Sequence, residues 1–153
     1  MALSPWIVAA DAAGLLDFLT EVFGAQERGR SPGPDGRIGH AETVVGGASV
    51  VVMDAHDGWP AQPALLRVDV EDLEGTLSRA EAAGATIVTP RTSLPFGDDV
   101  ARFTDPWGNL WWVQQHVEDV DFDTLLARME DPATAETMAA YEGSLDEEMR
   151  RRA

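Results

Sequence analysis

The chain has 153 residues and a mass of 16.5 kDa, which is enough for one ordinary domain. Its 27 acidic and 11 basic residues give a net charge of −16, and this charge argues against nucleic-acid and membrane-surface partners because it repels phosphate groups. The absence of cysteine excludes disulfides, thiolate metal sites and cysteine nucleophiles. No apolar run approaches the roughly 20 residues of a membrane helix. Residues 1–14 lack the pattern of a signal peptide, so we expect a cytoplasmic protein.

The first half of the chain predicts a strand, a helix and two further strands. An apolar run at residues 6–10 precedes Asp11, which opens a helical pattern that ends at Gly24. Two runs of β type follow at residues 37–45 and 48–54, and Gly46-Gly47 joins them as a turn.

The second half repeats this order about sixty positions later. An apolar run at residues 65–70 precedes Asp72, which opens a second helical pattern. Runs of β type then follow at residues 86–89, 99–104 and 110–115. One unit of about 50 residues buries too little surface to be stable alone, so we expect the two units to pair through their sheets.

The last part of the chain is predicted to be helical and is strongly acidic. Residues 117–153 carry 11 acidic and 4 basic residues, and apolar side chains recur there at helical spacing. We expect two short helices, at 122–130 and 133–152, separated by Asp131-Pro132. This extension is interpreted as a structural tail or as an arm that supports a dimer.

Several short sequence motifs occur together in a particular order. They are Asp17–Ala25 (in part), Pro34–Glu42, Val70–Leu73, Ala82–Ala85, Pro95–Asp98 and Asp105–Trp111. Over about residues 3–120 they resemble the vicinal oxygen chelate superfamily of glyoxalase and bleomycin-resistance proteins. The similarity is greatest to the glyoxalase-like branch related to phosphonate-operon proteins.

This resemblance implies an α+β fold of two βαβββ modules whose concave mixed sheets pair to enclose a cavity. The modules would span about residues 3–56 and 64–118 of a domain at 1–120, and the helical acidic extension would occupy 121–153. Members of this family are mostly dimers, so the resemblance also implies a homodimer.

Metal-dependent members of the superfamily hold a divalent ion with four His, Gln or Glu side chains on the concave sheets. The corresponding positions of this chain are Trp6, Met53 (with an uncertainty of one residue), Leu65 and Trp112. None of these side chains is a credible ligand for a divalent ion. We therefore expect no metal and no other cofactor, and metal-dependent glyoxalase or dioxygenase chemistry is disfavoured.

The three histidines have different expected roles. His40 and Glu42 are two residues apart in a predicted strand, so their side chains share a face. They could contact a ligand, act as an acid–base pair, or form a hydrogen-bonded core pair. His56 is expected in solvent, and His116 is expected to be a partner of the acidic extension.

The alternation of side chains along each strand predicts the lining of the cavity. Trp6 and Trp112 are expected to meet inside it, with Trp59 and Trp107 at its rim. Arg67 either pairs with Asp69 or anchors a carboxylate or phenolate, and Arg102 is a similar candidate. The candidate ligand-binding residues are Trp6, His40, Met53, Leu65, Arg67, Arg102, Trp107 and Trp112.

These expectations favour a metal-free binding protein, related to those that confer antibiotic resistance, that sequesters or carries a hydrophobic or aromatic small molecule. The ligand could be a cationic natural product, since a negative protein attracts cations. The alternative is a metal-independent enzyme that uses His40 and Glu42 for proton transfer in an isomerisation or elimination. The sequence alone does not distinguish the binding protein from the enzyme.

Overall fold

A computed structural model describes residues 3–33, 35–60 and 62–153 of the chain. Pro34, the first residue of the Pro34–Glu42 motif, lies outside the described residues. The first module contains β1 (Trp6–Ala9), α1 (Ala12–Phe23), β2 (Gln26–Pro32), β3 (Ile38–Val45) and β4 (Ala48–Asp54). The second module contains β5 (Leu65–Asp69), α2 (Leu73–Ala82), β6 (Thr86–Ser93), β7 (Asp98–Thr104) and β8 (Leu110–His116).

The two modules have the same topology, which confirms the predicted repeat. The strand orders are β1-β4-β3-β2 and β5-β8-β7-β6. In each sheet the first strand pairs with the last in parallel, and the other pairs are antiparallel. Asp11 and Asp72 cap the two helices by accepting hydrogen bonds from Gly14 N and Gly75 N, as their positions before the helical patterns predicted.

Strand β2 is a strand that the local residue pattern did not indicate. Every residue of its sequence, QERGRSP, is exposed. Because neither side of this strand is buried, its residues do not alternate between apolar and polar. The strand conformation is instead stabilised by pairing with β3 at the edge of the sheet.

The core lies between the helices and the sheets, and it joins both modules. It is one cluster of buried apolar side chains from α1, α2 and the helix-facing side of both sheets. Phe23 at the end of α1 contacts the rings of Phe103 and Trp111, at centroid distances of 6.2 and 5.0 Å. Trp111 and Val113 pack on the helical side of their sheet.

This core leaves the opposite side of each sheet outside it, and we call these sides the outer faces. The resemblance implied sheets that pair to enclose a cavity, but within the chain the two sheets remain separate and unclosed. The reason is that the modules join through their helical sides, where the apolar surfaces of α1 and α2 are buried.

The C-terminal extension forms the two helices that the sequence predicted, α3 (Phe122–Met129) and α4 (Pro132–Arg152). We call these two helices the arm. Pro132 is the first residue of α4, where its missing N–H costs nothing. Helix α4 packs against β6 of the second module. In the described ranges, no helix is both long enough and apolar enough to cross a bilayer.

Candidate functional site

The outer face of the first sheet carries an exposed aromatic pair. Trp6 in β1 is 57% exposed, and its ring meets that of His40 in β3 edge-on, at a centroid distance of 5.7 Å. His40 Nε2 lies 3.2 Å from Glu42 Oε1, and both side chains are about half exposed. The shared face of His40 and Glu42 is as predicted, but a core pair is ruled out by this exposure.

Two clefts flank this pair on the same sheet. One, of about 310 Å³, lies between β2 and β3 and is lined in part by His40 and Glu42. The other, of about 280 Å³, is lined by Val8, Trp59, Pro60 and Gln62. Val8 shares the face of Trp6 because side chains alternate along β1, so the second cleft adjoins the aromatic pair. Trp59 therefore lies at the edge of this face, whereas the sequence predicted a position at the rim of a cavity between the two sheets.

Met53 lies on the same face, but it is buried. Its register partner is Val8 of the parallel neighbour β1, so the two side chains point to the same side. Only 8% of the surface of Met53 is exposed, so this side chain has little area that a ligand could contact.

Leu65 and Arg67 lie on β5, at the edge of the second sheet. Leu65 is 58% exposed. Arg67 Nη2 lies 2.8 Å from Asp69 Oδ1, and both side chains face solvent. The structure therefore shows the pairing of Arg67 with Asp69, which was one of the two alternatives for this arginine.

Helix α4 of the arm covers part of the outer face of the second sheet, at β6 and at Arg102 of β7. Arg102 of β7 is stacked between two rings, with its Cζ 4.1 Å from the centroid of Trp112 and 4.0 Å from that of Tyr141. Its Nη1 donates to Thr89 Oγ1 at 3.0 Å and to the Tyr141 carbonyl at 2.9 Å. Arg102 is thus 1% exposed. Neither it nor the stacked face of Trp112 is open to a ligand while α4 is in place.

The expected meeting of Trp6 and Trp112 is not found within the chain. Trp6 contacts His40 on the first sheet, whereas Trp112 contacts Tyr141 and Arg102 on the second. The cause is the packing of the modules through their helices, which turns the two outer faces away from a shared cavity.

Trp107 was expected at the rim of the cavity, and this was wrong. Its ring packs edge-on against Phe18 of α1 at a centroid distance of 6.0 Å, and it contacts the main core. The turn between β7 and β8 folds towards α1, so this indole closes the helical side of the protein.

Tyr141 is the site residue that the sequence did not reveal. It is the only tyrosine of the chain. Its spacing from Met138 and Leu145 placed it on the apolar side of α4, but a helical pattern does not say which surface that side covers. The signal in the sequence was Arg102, an arginine in a predicted strand that needs a partner if it is buried.

His56 and His116 occupy the predicted surroundings. His56 is exposed and meets Trp59 edge-on at 4.6 Å. His116 Nδ1 and Nε2 lie 2.9 Å from Asp98 Oδ1 and 3.1 Å from Asp119 Oδ1. The hydrogen bond with Asp98, followed by that with Asp119, raises the pKa of His116 above its ordinary value and outweighs the effect of burial.

The donor set does not fit the divalent ion of the metal-dependent relatives. The four corresponding positions hold two indoles, a thioether and an isobutyl group, and none of these supplies a hard oxygen or imidazole donor. Elsewhere in the described ranges, no three His, Asp or Glu side chains are grouped closely enough to hold a metal ion.

Comparison with known proteins agrees with this fold of two similar modules. The sequence model of the Glyoxalase/Bleomycin resistance protein/Dioxygenase superfamily matches residues 3–113. The chain belongs to this superfamily. It is also 34% identical over 139 residues to an uncharacterised protein of Mycobacterium bovis, covering 84% of this chain and 91% of that one.

Solved structures share this fold over about three quarters of the chain. TioX from Micromonospora sp. ML1 is 28% identical, with a TM-score of 0.64 over 76% of this chain and 99% of that protein. A PhnB protein from Bacillus cereus, described as a putative 3-demethylubiquinone-9 3-methyltransferase, is 19% identical. It has a TM-score of 0.60 over 75% of this chain and 99% of its own, and it supports the fold alone. Both alignments leave about a quarter of this chain unmatched.

Proposed function

We propose that the protein is a metal-free binding protein that holds a flat aromatic molecule, with a positive charge, on the outer face of its first sheet. The observation that carries this proposal is the exposed Trp6 ring beside His40 and Glu42. An indole left more than half exposed on a sheet offers apolar area and a π face to a planar ligand.

The charge of the ligand is inferred from the carboxylate and from the whole protein. Glu42 lies within reach of His40, and in the described ranges no arginine forms an ion pair with it. A ligand cation near Glu42 would gain a partner, and the net charge of −16 would increase its rate of association.

A homodimer is part of this proposal. The exposed apolar side chains Trp6 and Leu65 lie on β1 and β5, the first strands of their sheets and each at a sheet edge. A second copy that covered these edges would deepen the shallow site beside Trp6. The protein would sequester or carry the ligand in the cytoplasm, and this role requires neither a metal nor another cofactor.

The binding test is a titration with proflavine, a flat aromatic cation, followed by isothermal calorimetry. Trp6→Ala should weaken proflavine binding at least about tenfold, the equivalent of 1.4 kcal/mol of stacking and cation–π energy. Phe122→Ala removes an aromatic side chain that is 70% exposed on α3, and it should leave the affinity unchanged. Equal affinity of Trp6→Ala and the unmodified protein would overturn the proposed site.

A second candidate function rests on the 3.2 Å contact between His40 and Glu42. A carboxylate that orients an imidazole is a suitable arrangement for moving a proton to or from a bound molecule. His40→Gln separates the two functions. It should leave the binding of a ligand nearly intact in a carrier, but it should abolish turnover of that ligand in an enzyme.

A further inference from the structure

Arg102 is a buried arginine that has no carboxylate partner within the described part of the chain. The guanidinium of Arg102 contacts a threonine hydroxyl, a backbone carbonyl and two aromatic rings. In the described ranges, no Asp or Glu lies within salt-bridge distance of it, although the chain has 27 acidic residues. Burial lowers the pKa of this guanidinium. A buried cation without an anionic partner is costly to the fold.

Two N–H groups in the same cluster are also unsatisfied. Arg102 Nε and Trp112 Nε1 are both buried, and neither has a hydrogen-bond partner among the residues that the structure describes. Each such group costs free energy compared with its state in water. The cluster therefore combines a cation, two free donors and two ring faces, which together match a planar molecule bearing an anionic oxygen.

The cover over this cluster is held by few contacts. Tyr141 and Glu148 are the only buried residues of α4, and α3 has none. The carboxylate of Glu148 accepts hydrogen bonds from Arg151 and Arg152 of the same helix. The apolar contact is a small cluster of Leu94, Val100 and Tyr141, with Met138 and Trp112 beside it.

Polar contacts complete the attachment of the arm. Ser144 Oγ lies 2.8 Å from Thr89 Oγ1, Arg152 Nη1 donates to the Gly108 carbonyl at 3.0 Å, and Arg128 Nη1 donates to the Pro95 carbonyl. The main core lies on the other side of this sheet. Release of the arm would therefore uncover the Arg102 cluster without opening the core.

We propose that the outer face of the second sheet is a binding site for an aromatic carboxylate, and that Tyr141 occupies this site until the ligand displaces the arm. The ring of the ligand takes the position of the phenol beside Arg102 and Trp112. Its carboxylate forms the ion pair that Arg102 lacks and accepts from the two free N–H groups. This site is separate from the Trp6 face in position and in the charge that it selects.

The arm can be locked because the chain has no cysteine. The hydroxyls of Thr89 and Ser144 are within 2.8 Å of each other, so Thr89→Cys with Ser144→Cys places two sulfurs at a distance that a small adjustment closes. The probe is 1-naphthoate, with binding measured by calorimetry. The reduced double variant should bind at least about tenfold more tightly than the oxidised one, because the competent state is then accessible.

Tyr141→Ala provides an independent measurement in case the double variant fails to fold. Removal of the competing phenol should tighten 1-naphthoate binding about tenfold over the unmodified protein. Adding Arg102→Met should abolish this gain, and the fold should tolerate the change because an unpaired buried charge is removed. The cation 1-naphthylmethylamine should show no gain with Tyr141→Ala.

Amide hydrogen exchange of the unmodified protein reports the motion itself. Saturating 1-naphthoate should accelerate exchange along α4 and leave α1 unchanged. Equal binding by the oxidised and reduced forms, or 1-naphthoate affinity that does not respond to Tyr141→Ala, would overturn the proposal. Trp6→Ala should not alter 1-naphthoate binding, so failure of the Trp6 site and failure of this site are distinguishable.

Discussion

Trp111 donates its indole N–H to Asp105 Oδ2 at 2.9 Å and thereby ties β8 to the turn that precedes it. Asp105 is 4% exposed, and its carboxylate also accepts from Trp107 N, Asn109 N and Asn109 Nδ2. Pro106 and Gly108 are residue types that are common in tight turns, but the residue types alone do not show that the aspartate is the centre of the hydrogen bonds.

Asp105→Ala should therefore be strongly destabilising. It leaves four donors without their acceptor in a buried turn, and we expect a loss of about 2–4 kcal/mol in the free energy of unfolding. Urea denaturation followed by tryptophan fluorescence measures this loss. Asp69→Ala removes an exposed carboxylate paired with Arg67 and should cost less than about 1 kcal/mol. Equal losses in the two variants would contradict this role of Asp105.

Much of the fold was predictable because local chemistry and tertiary structure agree. Asp11 and Asp72 mark the starts of equivalent helices, and the runs that became β3, β4, β7 and β8 carry buried residues. Strand β2 was not predictable from its own residues, since pairing with β3 alone determines it.

The candidate site was predictable in part. Alternation along the strand placed His40 and Glu42 on one face correctly, because that rule depends only on the strand. It did not show that Trp6 lies beside them. The cover over Arg102 depends on where α4 packs, and the position of Trp107 depends on how a turn folds. Neither is determined by the spacing of residues within one element.

The stability of the protein should depend on the protonation of His116. Its pKa is raised above the ordinary value of 6.5 by its hydrogen bonds with Asp98 and Asp119, so the folded state binds the proton more tightly than the unfolded state. The resulting stabilisation is complete below about pH 6.5 and is lost as the pH rises through the raised pKa.

The measurement is the thermal midpoint of the unmodified protein and of His116→Gln across this range of pH. The difference between them should be largest at acidic pH and should vanish at alkaline pH. An NMR titration of the imidazole should give a midpoint above 6.5, and Asp98→Asn should lower it. A midpoint at or below 6.5 would remove the basis of this prediction.

The proposed dimer should depend on the exposed side chain of Leu65 in the edge strand β5. Leu65→Arg introduces a charge that is costly to bury in an interface, so it should shift the protein towards the monomer in sedimentation-velocity experiments. Leu126→Arg makes the same change at a half-exposed leucine of α3 and should leave the oligomeric state unchanged. A Leu65→Arg protein that sediments as a dimer at micromolar concentration would exclude an interface through this edge.

Two glycines inside helices should respond in opposite directions to the same substitution. Alanine is favoured over glycine in a helix by about 1 kcal/mol. At Gly143 of α4 a Cβ atom would meet no atom of the described residues within 4 Å, so Gly143→Ala should stabilise the protein by up to about 1 kcal/mol. At Gly14 of α1 a Cβ atom would lie 2.8 Å from Cζ2 of Trp107 and also too near Asp11, the residue that caps the helix.

Gly14→Ala should consequently lower the free energy of unfolding despite the higher helix propensity of alanine, because the indole and the cap must both shift. Denaturation curves of the two variants test the packing of Trp107 against α1 directly. If Gly14→Ala were stabilising to the same degree as Gly143→Ala, the indole of Trp107 would have to lie away from α1.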